Sequence, residues 1–439
     1  MTRIEPLPVH DLSNGWSRIL PRRDPQPGLA GDVDAEWLVI GAGFAGLAAA
    51  RRLAGNAPGD RIVLVEAGEC GENASGRNSG FAIDIPHTVS LDLAELQQAN
   101  GYLRLARAGV RELSAQVAEN RIDCGWSPVG KYHVAVTPAG AEAMLRPYSE
   151  TLARLGVDHD RVDAETLGAT LGTHHFHAAL FTPGTVLMNP AALTRGLADT
   201  LPANVLLYEN SPIIEFDPGE TFRCRTPGGM IRARCVILAA NGFSENFGVL
   251  GGRFFHLALH ASMTRPLSDS EHASLGAPEP WGLTPANGYG GVTMRYTEDR
   301  RILFRQGIEW APGRRPSAAR QKRVARRHKA LFDARFPGLG DVTFDHSWTG
   351  FVCMSRNGAP AFGRLARNLW VAACQNGIGL AKGTIGGVLV ADLATGRDNP
   401  LIDDMKNLGQ PARMPPWPLD WLGVQARIRF EIWRNRKEA

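Results

Sequence analysis

A strand, a glycine turn and a helix stand back to back between residues 37 and 66. Trp37-Leu38-Val39-Ile40 is a short apolar run of the kind that forms a strand buried on both faces. Gly41-Ala42-Gly43-Phe44-Ala45-Gly46 follows and opens LAAARRLAG, a strong helix that stops at Gly55-Asn56-Ala57-Pro58-Gly59. Arg61 to Glu66 reads as a second buried strand. The three glycines differ in what they permit. Gly41 allows the tight turn, Gly43 lets backbone approach a pyrophosphate, and Gly46 lets the helix pack on the strand. The helix start offers free N–H groups and the positive end of its dipole to phosphates. Glu66 closes the second strand 20 residues past Gly46. There it can accept hydrogen bonds from ribose hydroxyls, and its charge disfavours a 2′-phosphate. The unit therefore reads as dinucleotide-binding, and on its own it does not separate FAD from NAD.

The rest of the chain sets what is built around that unit. Its 439 residues suit two or three domains. With 44% hydrophobic and 21% charged residues, wholesale disorder is excluded. A net charge of +4 argues against a dedicated nucleic-acid binder. Six cysteines with no CxxC pair argue against a zinc ribbon or disulfide scaffold, and fit a reducing, cytoplasmic setting. No metal site is expected, and no Ser/His/Asp or HExxH arrangement supports a hydrolase. The first residues lack a secretory pattern, and glycines interrupt the longest apolar stretches, near 37–50 and 383–394, so no transmembrane segment is expected. Residues 1–35, rich in Pro, Gly and Asp, read as a surface arm. Helices are expected over 102–120 and 138–156. Strands are expected at Val205 to Glu209, Ile213 to Phe216, Phe222 to Thr226 and Cys235 to Ala240. Alternating sheet is expected from Leu257 to Thr264 and from Gly291 to Gln306, with a hairpin turn at Asp299-Arg300.

Several further segments carry a resemblance. Ala74-Ser75-Gly76-Arg77-Asn78-Ser79-Gly80 follows the second strand directly, and Val236 to Gly242 spells VILAANG. Later come Trp348-Thr349-Gly350, Asn357 to Gly363 (NGAPAFG) and Gln375 to Gly387. In this order, over about residues 36–395, they resemble the D-amino-acid oxidase-like flavoprotein superfamily, particularly its γ-glutamylputrescine oxidase branch. The resemblance implies an α/β fold, with a glutathione-reductase-type, Rossmann-like FAD domain interleaved with a mostly antiparallel substrate domain. The FAD domain would take residues 36–100, 185–245 and 345–400. The substrate domain would take 101–184 and 246–344, leaving 401–439 as a tail.

The cofactor implied is FAD. Besides Gly41, Gly43, Gly46 and Glu66, it would be held by Phe44, Ala45, Ala67 and the loop Ser75, Gly76, Arg77, Asn78, Ser79 and Gly80. Ile213, Ala240 and Asn241 would join them from the middle of the chain. The turn Asn376-Gly377-Ile378-Gly379, with Leu380 and Lys382 on the helix it opens, supplies a second anchor whose amides can stabilise negative charge on the ring. Some relatives hold the flavin through a cysteine where this chain has Gly350, so FAD is expected to be non-covalent. Arg77 would face the flavin.

The activity implied is oxidation of an amine or amino acid: hydride leaves the C–H next to nitrogen for flavin N5, the imine hydrolyses, and O2 or another electron acceptor reoxidises the flavin, O2 giving H2O2. A same-fold dehydrogenase passing electrons to a quinone or carrier protein is the alternative, and a flavin-containing binding or assembly factor is the non-enzymatic one. The pocket is expected between the strand at 257–264 and the sheet at 289–306, lined by His260, Met263, Tyr289, Met294, Tyr296 and Phe304. His260 is the polar candidate, but its favoured reading is a hydrogen-bonded structural histidine. An arginine clamp for a carboxylate would come from Arg295, Arg305 or Arg356. The catalytic candidates are thus His260, Arg77, Tyr296 and Arg305. The basic cluster from Arg314 to Lys329 is expected to be a solvated helix face, with an acidic membrane surface or nucleic acid as the alternatives. Trp417, Trp421, Phe430 and Trp433 are expected to dock the tail on the body or to make a subunit contact in a homo-oligomer.

Overall fold

A computed structural model describes residues 2–86, 93–286, 288 and 290–438. Val33–Ile40 and Ile62–Val65 lie parallel, Leu38 beside Val63 and Ile40 beside Val65, with the helix Phe44–Asn56 connecting them. Val205–Tyr208 extends this parallel set beyond Ile62–Val65, and Gly229–Leu238 flanks its other side. Leu369–Ala373 runs parallel to the end of Gly229–Leu238. Strands far apart in sequence thus meet in one nine-stranded sheet. Val39, Leu64 and Ile237 point into one apolar cluster, while Leu38, Val63 and Val236 point into another on the opposite face. Burial on both sides is why these strands read as unbroken apolar runs.

The second sheet has eight strands, in the order Phe344–Ser355, Phe254–Thr264, Ile302–Trp310, Thr293–Tyr296, Trp281–Pro285, Lys131–Ala135, Ala178–Thr182 and Asp160–Asp163. All neighbours are antiparallel except Trp281–Pro285 beside Lys131–Ala135. The expected hairpin turn is present: Thr297 N–H donates to Arg301 O, and Arg300 takes a φ of 60°. Helix Ala318–Arg335 packs on the strands Phe254–Thr264, Ile302–Trp310 and Phe344–Ser355, burying Phe332 and His328. Its Arg320, Lys322, Arg323, Arg326 and Arg327 are exposed, as a solvated face requires, but Arg314 before it is buried.

Three expectations need correction. The boundary drawn at residue 100 falls inside a single helix, Leu93–Asn120, which packs on Gly379–Thr395 and shares Leu105, Ala108 and Leu113 with the core of the first sheet. An unbroken amphipathic helix does not change domain in mid-course.

The amino-terminal segment is more than a surface arm. Thr2–Arg3 adds an edge strand to Glu215–Asp217, and Ile4, Asn14 and Trp16 are buried. Asn14 Nδ2 donates to the carbonyls of Gly71 and Gly76, and Trp16 Nε1 donates to that of Asn78. Arg23 pairs with Asp199 and with the buried Glu209. Each anchor meets a partner distant in sequence, so a Pro- and Gly-rich composition conceals them.

Nor do the tail aromatics dock. Helix Leu419–Arg434 is seated through Ile428 and Glu431, while Trp417, Phe430 and Trp433 are 80%, 49% and 62% exposed.

Candidate active site

One cavity of about 640 Å³ lies against both sheets. It takes its first wall from the glycine turn. Gly41 has a φ of 103°, and a Cβ there would lie 2.8 Å from Ala239 O, so only glycine serves. Gly43 caps the helix, whose first internal bond runs from Leu47 N–H to Gly43 O. The amides before it have no acceptor within the helix and face the cavity with the positive end of the dipole. Glu66 is almost fully buried in the wall. Its Oε2 accepts from Ala42 N–H at 2.8 Å, and its Oε1 accepts longer bonds from Gly68 N–H and Asn73 Nδ2. Ser75 Oγ accepts from Phe44 N–H, tying the loop to the helix start.

The second wall is the turn before helix Gly379–Thr395. Cys374, Asn376 and Gly377 have φ of 55°, 54° and 82°, a left-handed stretch that turns the chain sharply off the strand. Asn376 braces it: Oδ1 accepts from Ser355 N–H, and Nδ2 donates to the Gly358, Ala359 and Cys374 carbonyls. Asn241 Oδ1 accepts from Cys374 N–H, joining the middle segment to this turn. This helix packs tightly on Phe44–Asn56, since a Cβ on Gly387 would meet Ala45 O at 2.1 Å. Two helix starts therefore flank one cavity.

Most expected cofactor residues line it. From the turn and the loop after it come Gly41, Gly43, Phe44, Ala45, Glu66, Ala67, Ser75, Arg77, Asn78 and Ser79. From later segments come Ile213, Ala240, Asn241, Asn376, Gly377, Ile378, Gly379 and Leu380. Gly46, Gly76 and Gly80 stand behind the wall. Their Cβ atoms would meet Gly41 O at 1.7 Å, Gly71 O at 1.8 Å and Met188 O at 2.2 Å, so they serve close packing. Lys382 is a turn further along its helix and faces the Tyr102 ring at 5.5 Å, with burial pushing its ammonium down to about 8.

The guanidinium of Arg77 does not serve as a free cation for a ligand. Its Nη2 pairs with Asp11 Oδ1 at 2.6 Å, Nε donates to Glu72 O, and Nη1 donates to Thr349 O. The sequence offered no sign that its anion comes from the amino-terminal segment. That segment also closes the cavity, through Ile4, Pro6, Leu7, Pro8 and Val9.

On the second sheet, His260, Met294, Tyr296 and Phe304 are on the face away from the cavity. His260 is buried, its Nδ1 3.0 Å from Thr349 Oγ1 and its Nε2 3.7 Å from Glu309 Oε2, while its neighbours Leu259 and Ala261 line the cavity. Tyr296 packs against Trp281, and its hydroxyl meets His272 Nδ1 at 2.7 Å. Met294 and Phe304 belong to the core under helix Ala318–Arg335, and Tyr289 lies outside the described residues. Met263 shares the face of Ala261 but packs further along the strand with Trp16, Leu303 and Trp348, outside the cavity lining. The alternate set, Thr293 and Arg305 directly across from each other, faces the cavity.

Of the three arginine candidates, Arg305 alone lines the cavity. Arg295 is spent on the carbonyls of Ser79, Gly80 and Met188, and Arg356 is exposed. Arg305 Nη2 donates to Thr293 Oγ1 at 2.8 Å. Among the described residues no carboxylate pairs with it, and burial pushes its guanidinium down to about 10. Sequence reasoning also missed polar liners, His133, Arg314 and His256 among them. His133 Nδ1 lies 3.0 Å from Thr284 Oγ1. Arg314 donates to Gly242 O and lies over the Phe243 ring. Burial and the charge of Arg314 push His256 down to about 3, so it is neutral at ordinary pH.

Comparison with known proteins decides the family. The DAO family, described as FAD dependent oxidoreductase, matches residues 36–393. The chain belongs to this family. Among curated relatives, a gamma-glutamylputrescine oxidoreductase of Escherichia coli is 26% identical over 406 residues, covering 91% of this chain and 90% of that one. A probable oxidoreductase OrdL of Rhizobium meliloti is 27% identical over 417 residues, covering 92% and 93%. Glycine oxidase from Geobacillus kaustophilus has the same fold, with a TM-score of 0.71 at 20% identity over 87% of this chain and all of that one. The protein is thus an FAD-dependent oxidoreductase of the DAO fold. The residues present suit that cofactor, since amide-bearing helix starts and a buried Glu66 share one elongated set of walls.

The amino-terminal segment gives this DAO protein a fastener over the cofactor cavity. Burial works against the Asp11 carboxylate, but the hydrogen bond and charge of Arg77 outweigh it and hold its pKa at about 2, below the usual 3.8. Because the folded value is the lower one, the fastening is complete above about pH 4 and is lost as pH falls towards 2. Asp11→Asn is expected to speed FAD release about tenfold, as recovery of free-flavin fluorescence after dilution would show. The wild type should approach the variant's rate on acidification, and equal rates at neutral pH would remove the fastener.

Proposed function

We propose that the protein oxidises a small amine bearing a carboxylate, either an amino acid or an N-substituted amino acid, with O2 as electron acceptor. The observation that carries this reading is Arg305, a half-buried guanidinium at the cavity with no protein carboxylate beside it among the described residues. A cation partly withdrawn from water without a counter-ion is disfavoured, and a substrate carboxylate would supply one through two parallel hydrogen bonds. Thr293 Oγ1 fixes one edge of the guanidinium and so its plane. When bound, FAD accepts the hydride from the carbon next to nitrogen and passes the electrons to O2, giving H2O2, while the imine is hydrolysed in water.

The side chains contribute orientation and charge. Arg305 disfavours a second positive charge nearby and so favours the neutral amine that can give up hydride. The amides at the start of Gly379–Thr395 can stabilise negative charge on the reduced ring. Neither His260 nor Tyr296 is needed, in keeping with their positions outside the cavity. The relatives named for gamma-glutamylputrescine and glycine support an amine or amino-acid substrate. FAD would be non-covalent, since Gly350 stands where some relatives carry the linking cysteine, and the thiol that does line the wall, Cys353, is held protonated by burial; acid precipitation should leave the flavin in solution. Six free thiols fit a reducing, cytoplasmic setting.

The test is anaerobic bleaching of the bound flavin across a panel of amines with and without a carboxylate, followed by peroxide measurement in air. Carboxylated amines should bleach it and yield H2O2. Bleaching by carboxylate-free amines alone would overturn the substrate class. Bleaching without peroxide would replace O2 by another acceptor.

A further inference from the structure

We propose that the carboxy-terminal helix Leu419–Arg434 seats the protein on an anionic lipid surface. On this helix Leu419, Leu422, Ala426, Phe430 and Trp433 recur three and four residues apart, which places them on one face. All five are exposed. Trp417, four-fifths exposed, stands just before the helix and adds a second indole at its other end. The opposite face holds the helix to the body through Ile428 and Glu431, next to the strand Ile302–Trp310. The outward stripe therefore does not help to dock the helix. At about 1.5 Å per residue, its 16 residues make a rod of roughly 24 Å.

The charges in this segment are sorted by side. Arg427, Arg429, Arg434, Arg436 and Lys437 are exposed along and beyond the apolar stripe. Two of the acidic residues are turned inward: Glu438 accepts from Val136 and Thr137 N–H, and the buried Glu431 accepts from Arg427 and Asn435. An aromatic and leucine face bordered by arginines matches the boundary between acyl chains and anionic headgroups. A second copy of the chain fits less well, because a self-complementary contact would set one basic border against another.

The test uses the FAD-loaded protein and vesicles of phosphatidylcholine, alone or mixed with phosphatidylglycerol. The protein is expected to float with the mixed vesicles and stay behind with the neutral ones, with a blue shift in tryptophan fluorescence on binding. Phe430→Ser with Trp433→Ser should cost about tenfold or more in vesicle affinity. Arg429→Gln with Arg434→Gln should cost about tenfold, as should raised ionic strength for the wild type. Unchanged flavin content and melting temperature in both pairs would show that the fold is intact. Absence of flotation, or flotation that neither pair weakens, overturns the proposal. So does a dimer in sedimentation that the Phe430 and Trp433 changes make monomeric, which would give the face to a second copy.

Discussion

Arg305→Met is expected to lower kcat/KM for carboxylated amines by about a hundred- to a thousandfold, the equivalent of about 3 to 4 kcal/mol for a bidentate charged pair. Most of the loss should fall on KM, because the carboxylate is bound in ground and transition states alike. Stability should move the other way. The unliganded protein holds this cation without a counter-ion, so an apolar side chain of similar length should leave the melting temperature unchanged or raise it. Arg305→Lys keeps a point charge but loses the fork, and should recover only part of the affinity. An amine without a carboxylate should scarcely notice either change. If both substrate classes lose equally, Arg305 serves the cavity's architecture rather than substrate recognition.

Gly46→Ala should be nearly as damaging, for a reason unconnected with substrate. The added methyl would lie 1.7 Å from Gly41 O and 2.9 Å from its carbonyl carbon. Backbone on both sides cannot swing aside, so the helix Phe44–Asn56 must lift off its strand, at about 3 kcal/mol or more. That shift also carries away the amides that face the cavity. The variant should purify largely without flavin, visible as lost absorbance near ~450 nm, and should melt earlier. Gly55→Ala is the matched control. It lies in the same helix with nothing within 4 Å of its Cβ, and should stabilise by about 0.5 to 1 kcal/mol. Equal behaviour of the two variants would mean that close approach at residue 46 is not what the glycine supplies.

How far the sequence could be read depended on whether a side chain's partner was local. The turn from Gly41 to Gly46 and its Glu66 were legible because strand, turn and helix are consecutive and their roles follow from backbone geometry. The parallel strands were legible because burial on both faces leaves an unbroken apolar run. Arg77 was legible as a cavity residue but not in its partner: its anion, Asp11, is brought in by a segment with no apolar pattern of its own. The second sheet failed on parity. Helix Ala318–Arg335 covers one face and the cavity lies against the other, so His260 and Leu259 look equally suited to either side. The large residues Met294 and Phe304 went to the helix-covered core, where they bury the most surface. The smaller or polar set, Thr293, Ala261 and Arg305, was left for the cavity. Arg305 was legible as a type of residue but not as a choice, since Arg295 and Arg356 matched it until their positions were known.

The fastened amino terminus bears on the order in which the molecule can be completed. Asp11, Asn14, Trp16 and Arg23 leave the ribosome before any of their partners, and those partners extend through Arg77, Asn78 and Glu209, with Trp348 packed on Gly15. A segment made before its partners is therefore among the last that can be secured. Until it is, the cavity wall formed by Ile4 to Val9 is missing, and the nascent chain has a doorway as wide as that segment. FAD release is therefore expected to follow the local opening of this short segment rather than the far rarer opening of either sheet, and hydrogen exchange at residues 4–16 should track the rate of flavin loss.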